Sequence, residues 1–196
     1  MYTEFIAAKN DFLFTARRTY ASGIQTGTGG NLSSRIPGTE LMIVKPSGYT
    51  YGDCCEENLT ITDFSGKLVE GSYKPTREST LHGGLYSQFI AVGGIVHTHS
   101  PYAILCSLSF SQIELCTMHS ALKLKKPIPI IDVETQAVEA SEIHKVYEEF
   151  EKNPELSAFI LKGHGIVAVG SSARKAGQIA ELIEETAEIF WKSQNK

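Results

Sequence analysis

Apolar residues recur with helical spacing at both ends of the chain. Residues 3–22 carry a broad apolar stripe that Gly23 ends, and residues 172–192 carry the clearest helical pattern of the sequence. The stripe of this last helix is wide, which predicts burial on more than one side, such as against another subunit. Two shorter helices are predicted over residues 78–90 and from Pro101 onwards.

Short β-rich segments lie between these helices, bounded mainly by Gly, Pro, Ser or Asp. Residues 64–66 and 163–165 are connections of hairpin length, too short for the crossover that joins parallel strands. We therefore predict an α/β sandwich with a mostly antiparallel sheet, and not a doubly wound Rossmann sheet. The predicted strands cover residues 31–35, 41–44, 59–63, 93–99, 128–131, 158–161 and 166–169.

The composition is that of an ordinary globular domain, which we expect to span residues 1–196. Hydrophobic residues make up 42% and charged residues 20%, which excludes a disordered chain, a collagen-like repeat and a coiled-coil rod. The net charge of −4 and the lack of a basic run disfavour a nucleic-acid-binding protein. No apolar run approaches the roughly 20 residues of a membrane-spanning helix, and the N-terminus lacks the pattern of a signal peptide. With four cysteines and no C-x-x-C pair, we expect a reduced, cytoplasmic protein.

Three histidines are the strongest candidates for chemistry. His97 and His99 lie two residues apart in a β-rich segment, so their side chains project from one face about 7 Å apart, which suits two imidazoles on one ion. His164 lies between two glycines at the end of an apolar strand. Together they predict a His-rich site with open positions, as in catalytic zinc centres, although manganese and cobalt fit such ligands too. A metal-free histidine pair and a turn histidine are the alternatives.

Glu78 opens the predicted helix over residues 78–90, and two interpretations of it remain open. A glutamate in the first turn stabilises a helix N-terminus, which is the simpler interpretation. The other is an acid/base beside the metal. His82 lies one turn later on the same face, so the two side chains could act together.

Glycine-rich and polar segments suggest a site for one phosphate. Residues 27–31 contain neither the Gly-Lys-Ser/Thr of a P-loop nor the dinucleotide spacing. Their backbone amides, with donors from residues 46–48 and 76–77, could still form an anion-binding nest. Simple turns are the alternative for each segment taken alone.

Five segments in order resemble the class II aldolase/adducin family: TGTGGNLSSR, IVKPSG, EGSYKPTRESTLHGGLY, GGIVHTHSPYA and LKGHGIVAVG. The resemblance runs from about residue 23 to 190. It implies a three-layer α/β/α sandwich around a mainly antiparallel sheet, a divalent metal that is usually Zn²⁺, and a homotetramer with active sites between subunits. The residues that match the family's metal ligands are His97, His99 and His164, with Glu78 as the acid/base that can also touch the metal. The residues that match its phosphate pocket are Gly30, Asn31, Ser47, Gly48, Thr76 and Arg77.

The resemblance implies a metal-dependent aldolase. Such an enzyme cleaves a ketose 1-phosphate, similar to fuculose 1-phosphate, into dihydroxyacetone phosphate and an aldehyde. The metal would stabilise the enediolate and Glu78 would move the proton. Glu78 favours an aldolase over the family's epimerase, which has aspartate there. A basic residue before the glutamate, here Arg77, also occurs in family members that decarboxylate 3-oxo-tetronate phosphates, so decarboxylation and 4-epimerisation remain alternatives. Adducin-like proteins without catalysis lack the metal histidines that this chain keeps.

The chain departs from the family in its proton donors. The family's aldolases contribute one tyrosine from the segment after the H-x-H helix and another from the C-terminal tail, both from the neighbouring subunit. Residues 116–120 and 190–196 contain no tyrosine, and Leu122 falls near the epimerase's aspartate. His119 is a candidate replacement for the missing proton donor, and the alternative is a bystander, which a lone exposed histidine more often is.

Overall fold

Helices and strands are mixed along the part of the chain that the computed structural model describes, which is residues 2–135, 138–139 and 141–194. The helices are α1 (Tyr2–Ser22), α2 (Ser79–Gln88), α3 (Pro101–Ser107), α4 (Met118–Leu124), α5 (Ile143–Lys152) and α6 (Ala173–Gln194). The strands are β1 (Asn31–Arg35), β2 (Leu41–Val44), β3 (Thr60–Asp63), β4 (Leu68–Glu70), β5 (Gly94–Thr98), β6 (Gln112–Ile113), β7 (Ile128–Ile131), β8 (Ala158–Leu161) and β9 (Gly165–Gly170).

The strands form one sheet in the order β4-β3-β2-β1-β5-β9-β8-β7-β6. Neighbouring strands are antiparallel throughout, apart from the parallel pair β7 and β8. The predicted mainly antiparallel sheet is therefore confirmed. The parallel pair has a simple cause, since α5 lies between β7 and β8 along the chain and provides the long crossover that parallel strands need.

Helices cover both faces of the sheet, because alternate residues of its central strands enter two different apolar cores. On β5, Val96 packs into the core formed with α1, α3 and α6, whereas Ile95 packs into the core formed with α2 and α5. On β9, Ile166 and Val167 divide in the same way. The three-layer α/β/α sandwich is thus confirmed.

The wide apolar stripe of α6 has partners within the chain. The helix contacts α1, α3, β5 and β9, and it buries Ile183, Ala187 and Phe190 against them. Its width is therefore explained without a second subunit. None of the helices in the described ranges is both long enough and apolar enough to cross a membrane.

Candidate metal centre and active-site cleft

Three imidazoles converge where the two central strands end. His97 projects from β5, His99 follows that strand, and His164 lies in the turn between β8 and its neighbour β9. The Nε2 atom of His97 lies 3.1 Å from Nε2 of His99 and 3.3 Å from Nε2 of His164. Nitrogens bound tetrahedrally to one Zn²⁺ at 2.0–2.1 Å lie about 3.3 Å apart, so the spacing fits a metal ion.

The hydrogen-bonding and charge state of the imidazoles also suits a cation. The Nδ1 atom of His97 lies 2.8 Å from the carbonyl oxygen of Ile166, which can only accept, so Nδ1 carries the proton and Nε2 presents a lone pair. Burial is the main cause that lowers the pKa of all three histidines. The pKa of His97 falls well below its usual value, and the pKa of His164 falls to about 4. Near neutral pH the rings are therefore uncharged and able to bind a metal.

The glycine-rich loop packs directly on the histidine segment. A Cβ atom on Gly29 would lie 2.7 Å from Nδ1 of His99. Gly30 has a φ of +64°, and a Cβ there would lie 2.5 Å from the carbonyl oxygen of His97. Gln25, just before the loop, accepts the backbone N–H of His99 at 2.6 Å. These glycines are needed for close approach of two backbones, besides any role in binding an anion.

Glu78 precedes α2 and its carboxyl group is held in a buried environment. The residue is 7% exposed, and its side chain makes no capping hydrogen bond to the helix. Burial raises the pKa of the carboxyl group to about 7, against the opposing effect of a hydrogen bond donated by the backbone of Val138. The geometry thus favours a group that exchanges a proton near neutral pH over a helix-stabilising carboxylate.

His82 lies one turn after Glu78 and is completely buried. Its Nδ1 atom lies 2.7 Å from the hydroxyl oxygen of Ser33. Burial lowers the pKa of His82 to about 3, so the ring is neutral.

One cavity of about 750 Å³ brings nearly all the predicted site residues together. The three histidines and Glu78 line it, as do the six residues predicted for the phosphate. Two of the segments that meet there are joined by a backbone hydrogen bond. The N–H of Ser47 donates to the carbonyl oxygen of Lys74 at 2.8 Å. That amide is consequently not available to an anion, in contrast to the predicted nest. The six phosphate-site candidates are Gly30, Asn31, Ser47, Gly48, Thr76 and Arg77.

Comparison with known proteins assigns the chain to a family. Residues 10–191 match the model of the Class II Aldolase and Adducin N-terminal domain. The chain belongs to this family.

Solved structures of related proteins show the same fold. An L-fuculose 1-phosphate aldolase has a TM-score of 0.84 at 23% identity, over 96% of this chain and 87% of the other. The L-fuculose-1-phosphate aldolase from Thermus thermophilus has a TM-score of 0.78 at 23% identity, over 99% and 97%. YgbL from Klebsiella pneumoniae, described as a candidate aldolase/epimerase/decarboxylase, has a TM-score of 0.81 at 24% identity, over 97% and 91%. At these identities the likeness establishes the class II aldolase fold, and the reaction has to be argued from the site.

Lys45 is a residue of the cleft that the sequence analysis missed. Its side chain is 1% exposed, and its amino group donates to the carbonyl oxygens of Tyr49 at 2.5 Å and Thr28 at 3.3 Å. Burial lowers the pKa of Lys45, and its charge contributes to the lowered pKa of His99. The signal in the sequence was a lysine directly after an apolar strand and before Pro-Ser-Gly. In this class II aldolase family member, it adds a buried cation to the cleft.

His119 lies apart from the metal centre within one protomer. It is exposed on α4 and lines a second cavity, together with Arg18, Lys123 and Glu181. Its predicted role as a proton donor would require a cleft completed by another subunit, and it stays a prediction.

Proposed function

We propose that the protein is a metal-dependent aldolase that cleaves a ketose 1-phosphate, similar to fuculose 1-phosphate, into dihydroxyacetone phosphate and an aldehyde. The observation that carries the proposal is one cleft holding three neutral imidazoles and a buried carboxyl group with a pKa of about 7. His97, His99 and His164 would hold the ion, most simply Zn²⁺, with Mn²⁺ and Co²⁺ as alternatives. The ion would supply Lewis acidity towards the carbonyl and hydroxyl oxygens of a keto sugar.

The cationic end of the cleft would bind the substrate phosphate. Lys45 is buried beside the glycine-rich loop with its hydrogens on backbone carbonyls, so it would attract the phosphate through its charge. Arg77 lies exposed at the same cavity and would contact the phosphate. Thr76 and Gly48 add polar groups there. Phosphate held at this end would position the reacting carbons between the histidines and Glu78.

Glu78 would act as the general acid and base. Cleavage of the C3–C4 bond leaves a carbon that must take up a proton, and the reverse reaction must remove it. A carboxyl group with a pKa of about 7 is populated in both forms near neutral pH, as this exchange requires.

Decarboxylation of a 3-oxo acid phosphate is a second candidate, and Arg77 is the observation that favours it. Arg77 directly precedes Glu78 in the chain. Its guanidinium makes no hydrogen bond or salt bridge with any residue in the described ranges. It could bind a carboxylate bidentately, or the phosphate instead. A 4-epimerase would use the same metal site, whereas a non-catalytic module would have no use for three convergent imidazoles.

The assembly that we propose is a homotetramer with active sites between subunits. Met118 and Leu122 of α4 are 93% and 72% exposed, and His119 lies between them. An apolar surface of this kind on the helix that carries the candidate proton donor supports a contact with another copy.

A product assay tests the reaction. Zinc-loaded and EDTA-stripped protein would be incubated with a panel of phosphorylated ketoses and 3-oxo acids, and dihydroxyacetone phosphate and carbon dioxide would be measured. We expect dihydroxyacetone phosphate from the zinc form alone, its loss in His97→Ala and Glu78→Gln, and its retention in the exposed-histidine control His144→Ala. Release of carbon dioxide, or conversion to a C4 epimer without cleavage, would overturn the aldolase.

A further inference from the structure

A row of buried polar groups runs from Tyr86 through Ser33 to His82. The Tyr86 hydroxyl lies 2.7 Å from Oγ of Ser33, which lies 2.7 Å from Nδ1 of His82. All three residues are at most 1% exposed. Ser33 is two residues from Asn31 on β1, so both side chains are on the face of the sheet that carries His97.

The row has a direction, which fixes the position of the His82 proton. Among the residues that the structure describes, the Tyr86 hydroxyl has one hydrogen-bond partner, Oγ of Ser33. The phenol keeps its proton, because burial raises the pKa of Tyr86, and it therefore donates to Ser33. Ser33 has one other side-chain partner in the described ranges, Nδ1 of His82, so its own hydrogen is paired only if it is donated to that nitrogen. A neutral His82 must consequently carry its ring proton on Nε2.

Two buried atoms near the cleft remain unsatisfied, and they are complementary. Nε2 of His82 and Oε2 of Glu78 are both buried without a hydrogen-bond partner among the residues that the structure describes. Nε2 of His82 carries the ring proton and is a donor, whereas the carboxylate oxygen of Glu78 is an acceptor. The two residues are four apart at the start of α2, so their side chains face the same way. Leaving both groups unpaired would cost stability twice, whereas one hydrogen bond satisfies both.

We propose that His82 is a positioning residue, whose Nε2–H donates to Oε2 of Glu78 through one buried water, or directly after a side-chain rotation, because the two atoms are not hydrogen-bonded in the structure as it stands. The bond fixes the orientation of the carboxyl group towards the substrate. Tyr86 and Ser33 serve to hold the His82 ring in the tautomer that makes this bond possible. The catalytic consequence rests on the proposed function, while the hydrogen bond itself does not.

The tautomer is tested without any reaction. In metal-free protein labelled with ¹⁵N-histidine, long-range ¹H–¹⁵N spectra distinguish a ring protonated at Nε2 from one protonated at Nδ1, and His82→Leu assigns the signals. We expect the Nε2–H form in the wild type and a weaker preference in Tyr86→Phe, which lacks the hydroxyl that sets the direction. A predominant Nδ1–H form in the wild type would overturn the proposal, and His82→Gln assigns the signals if His82→Leu does not fold.

The positioning role is tested by steady-state kinetics. Gln at position 82 can place an amide N–H where Nε2 lies, whereas Leu cannot. We expect His82→Leu to lower kcat about 10- to 100-fold with little change in KM, and His82→Gln to recover about 10-fold of the loss. Thr186→Val, which removes a buried hydroxyl that donates to Leu182 on α6, controls for loss of an interior hydrogen bond.

Equal kcat values in the Leu and Gln variants, or a loss of the same size in Thr186→Val, would overturn the positioning role. If the wild type cleaves no ketose phosphate, the proposed function fails, and the spectra still decide the tautomer of His82.

Discussion

Replacing Glu78 by Gln should stabilise the metal-free protein at alkaline pH. The carboxyl group is 7% exposed, and burial raises its pKa from the ordinary 4.5 to about 7. A folded-state pKa above the unfolded value means that the stability this group contributes is present below about pH 4.5 and is lost as the pH rises through about 7. The shift of about 2.5 pKa units corresponds to about 3 kcal/mol, since each unit is worth about 1.4 kcal/mol.

Urea denaturation of wild type and Glu78→Gln, both stripped with EDTA, measures this effect. We expect the variant's advantage in unfolding free energy to grow from below about 1 kcal/mol near pH 5 to about 3 kcal/mol above about pH 8. The amide oxygen of Gln can still accept the hydrogen bond from Val138, so this contact is kept. Protein concentration is held constant, because subunit association would add its own contribution to stability.

Glu142→Gln is a control with the opposite sign. The hydrogen bond from Lys145 and the backbone N–H of Glu134 lower the pKa of Glu142 to about 2, so its carboxylate stabilises the fold at neutral pH. That variant should lose stability relative to wild type as the pH rises from about 2 to the unfolded value of 4.5, and the difference should stay constant at higher pH. An advantage of Glu78→Gln that is the same at both pH values would refute burial as the cause of the raised pKa, and with it the acid/base argument.

Three further predictions concern the metal, the substrate and the packing of the glycine-rich loop. His164→Ala should weaken Zn²⁺ binding at least about 100-fold in a competition with a chelator, since loss of an outer partner alone costs 10- to 100-fold; unchanged affinity would remove His164 from the centre. Lys45→Met should raise KM for a phosphorylated ketose while Zn²⁺ affinity in the same chelator assay is kept, and an unchanged KM would exclude Lys45 from phosphate binding. Gly30→Ala should lower the free energy of unfolding by about 1–3 kcal/mol in urea denaturation, because the φ angle of Gly30 is +64° and the new Cβ would lie 2.5 Å from the His97 carbonyl oxygen. Wild-type stability of this variant would contradict that close approach.

Much of the fold followed from local patterns in the sequence. The stripes of α1 and α6 and the apolar runs of β2, β7 and β8 are signals within single elements. The hairpin connections at residues 64–66 and 163–165 predicted antiparallel neighbours, and they are found at β3–β4 and β8–β9. The parallel pairing of β7 with β8 could not be predicted in this way, because it depends on where a crossover helix packs and not on a local turn.

The site was predictable in part, for a related reason. His97 and His99 are linked by strand periodicity, but His164 joins them only because β5 and β9 are neighbours in the sheet. Its place was predicted from its position between two glycines at the end of an apolar strand, and the resemblance then matched it to a metal histidine of the family. The burial of Lys45 is set by backbone carbonyls of two separate loops, which no pattern along the chain reports. The tautomer of His82 likewise depends on Ser33 of β1 and on Tyr86, one turn further along α2.

The placement of His97 in the middle of the sheet has a consequence for how the metal enters and leaves. β5 is hydrogen-bonded to β1 on one side and to β9 on the other, so its amides should exchange with solvent only when the sheet opens as a whole. The ligand set is therefore assembled before any ion arrives. Metal exchange should proceed through the open mouth of the cleft, past the half-buried His99 and His164, at a rate independent of global unfolding. Bound Zn²⁺ would then slow hydrogen exchange across β1, β5 and β9 together. The ion stabilises the folded state, and all three strands exchange only when the folded sheet opens.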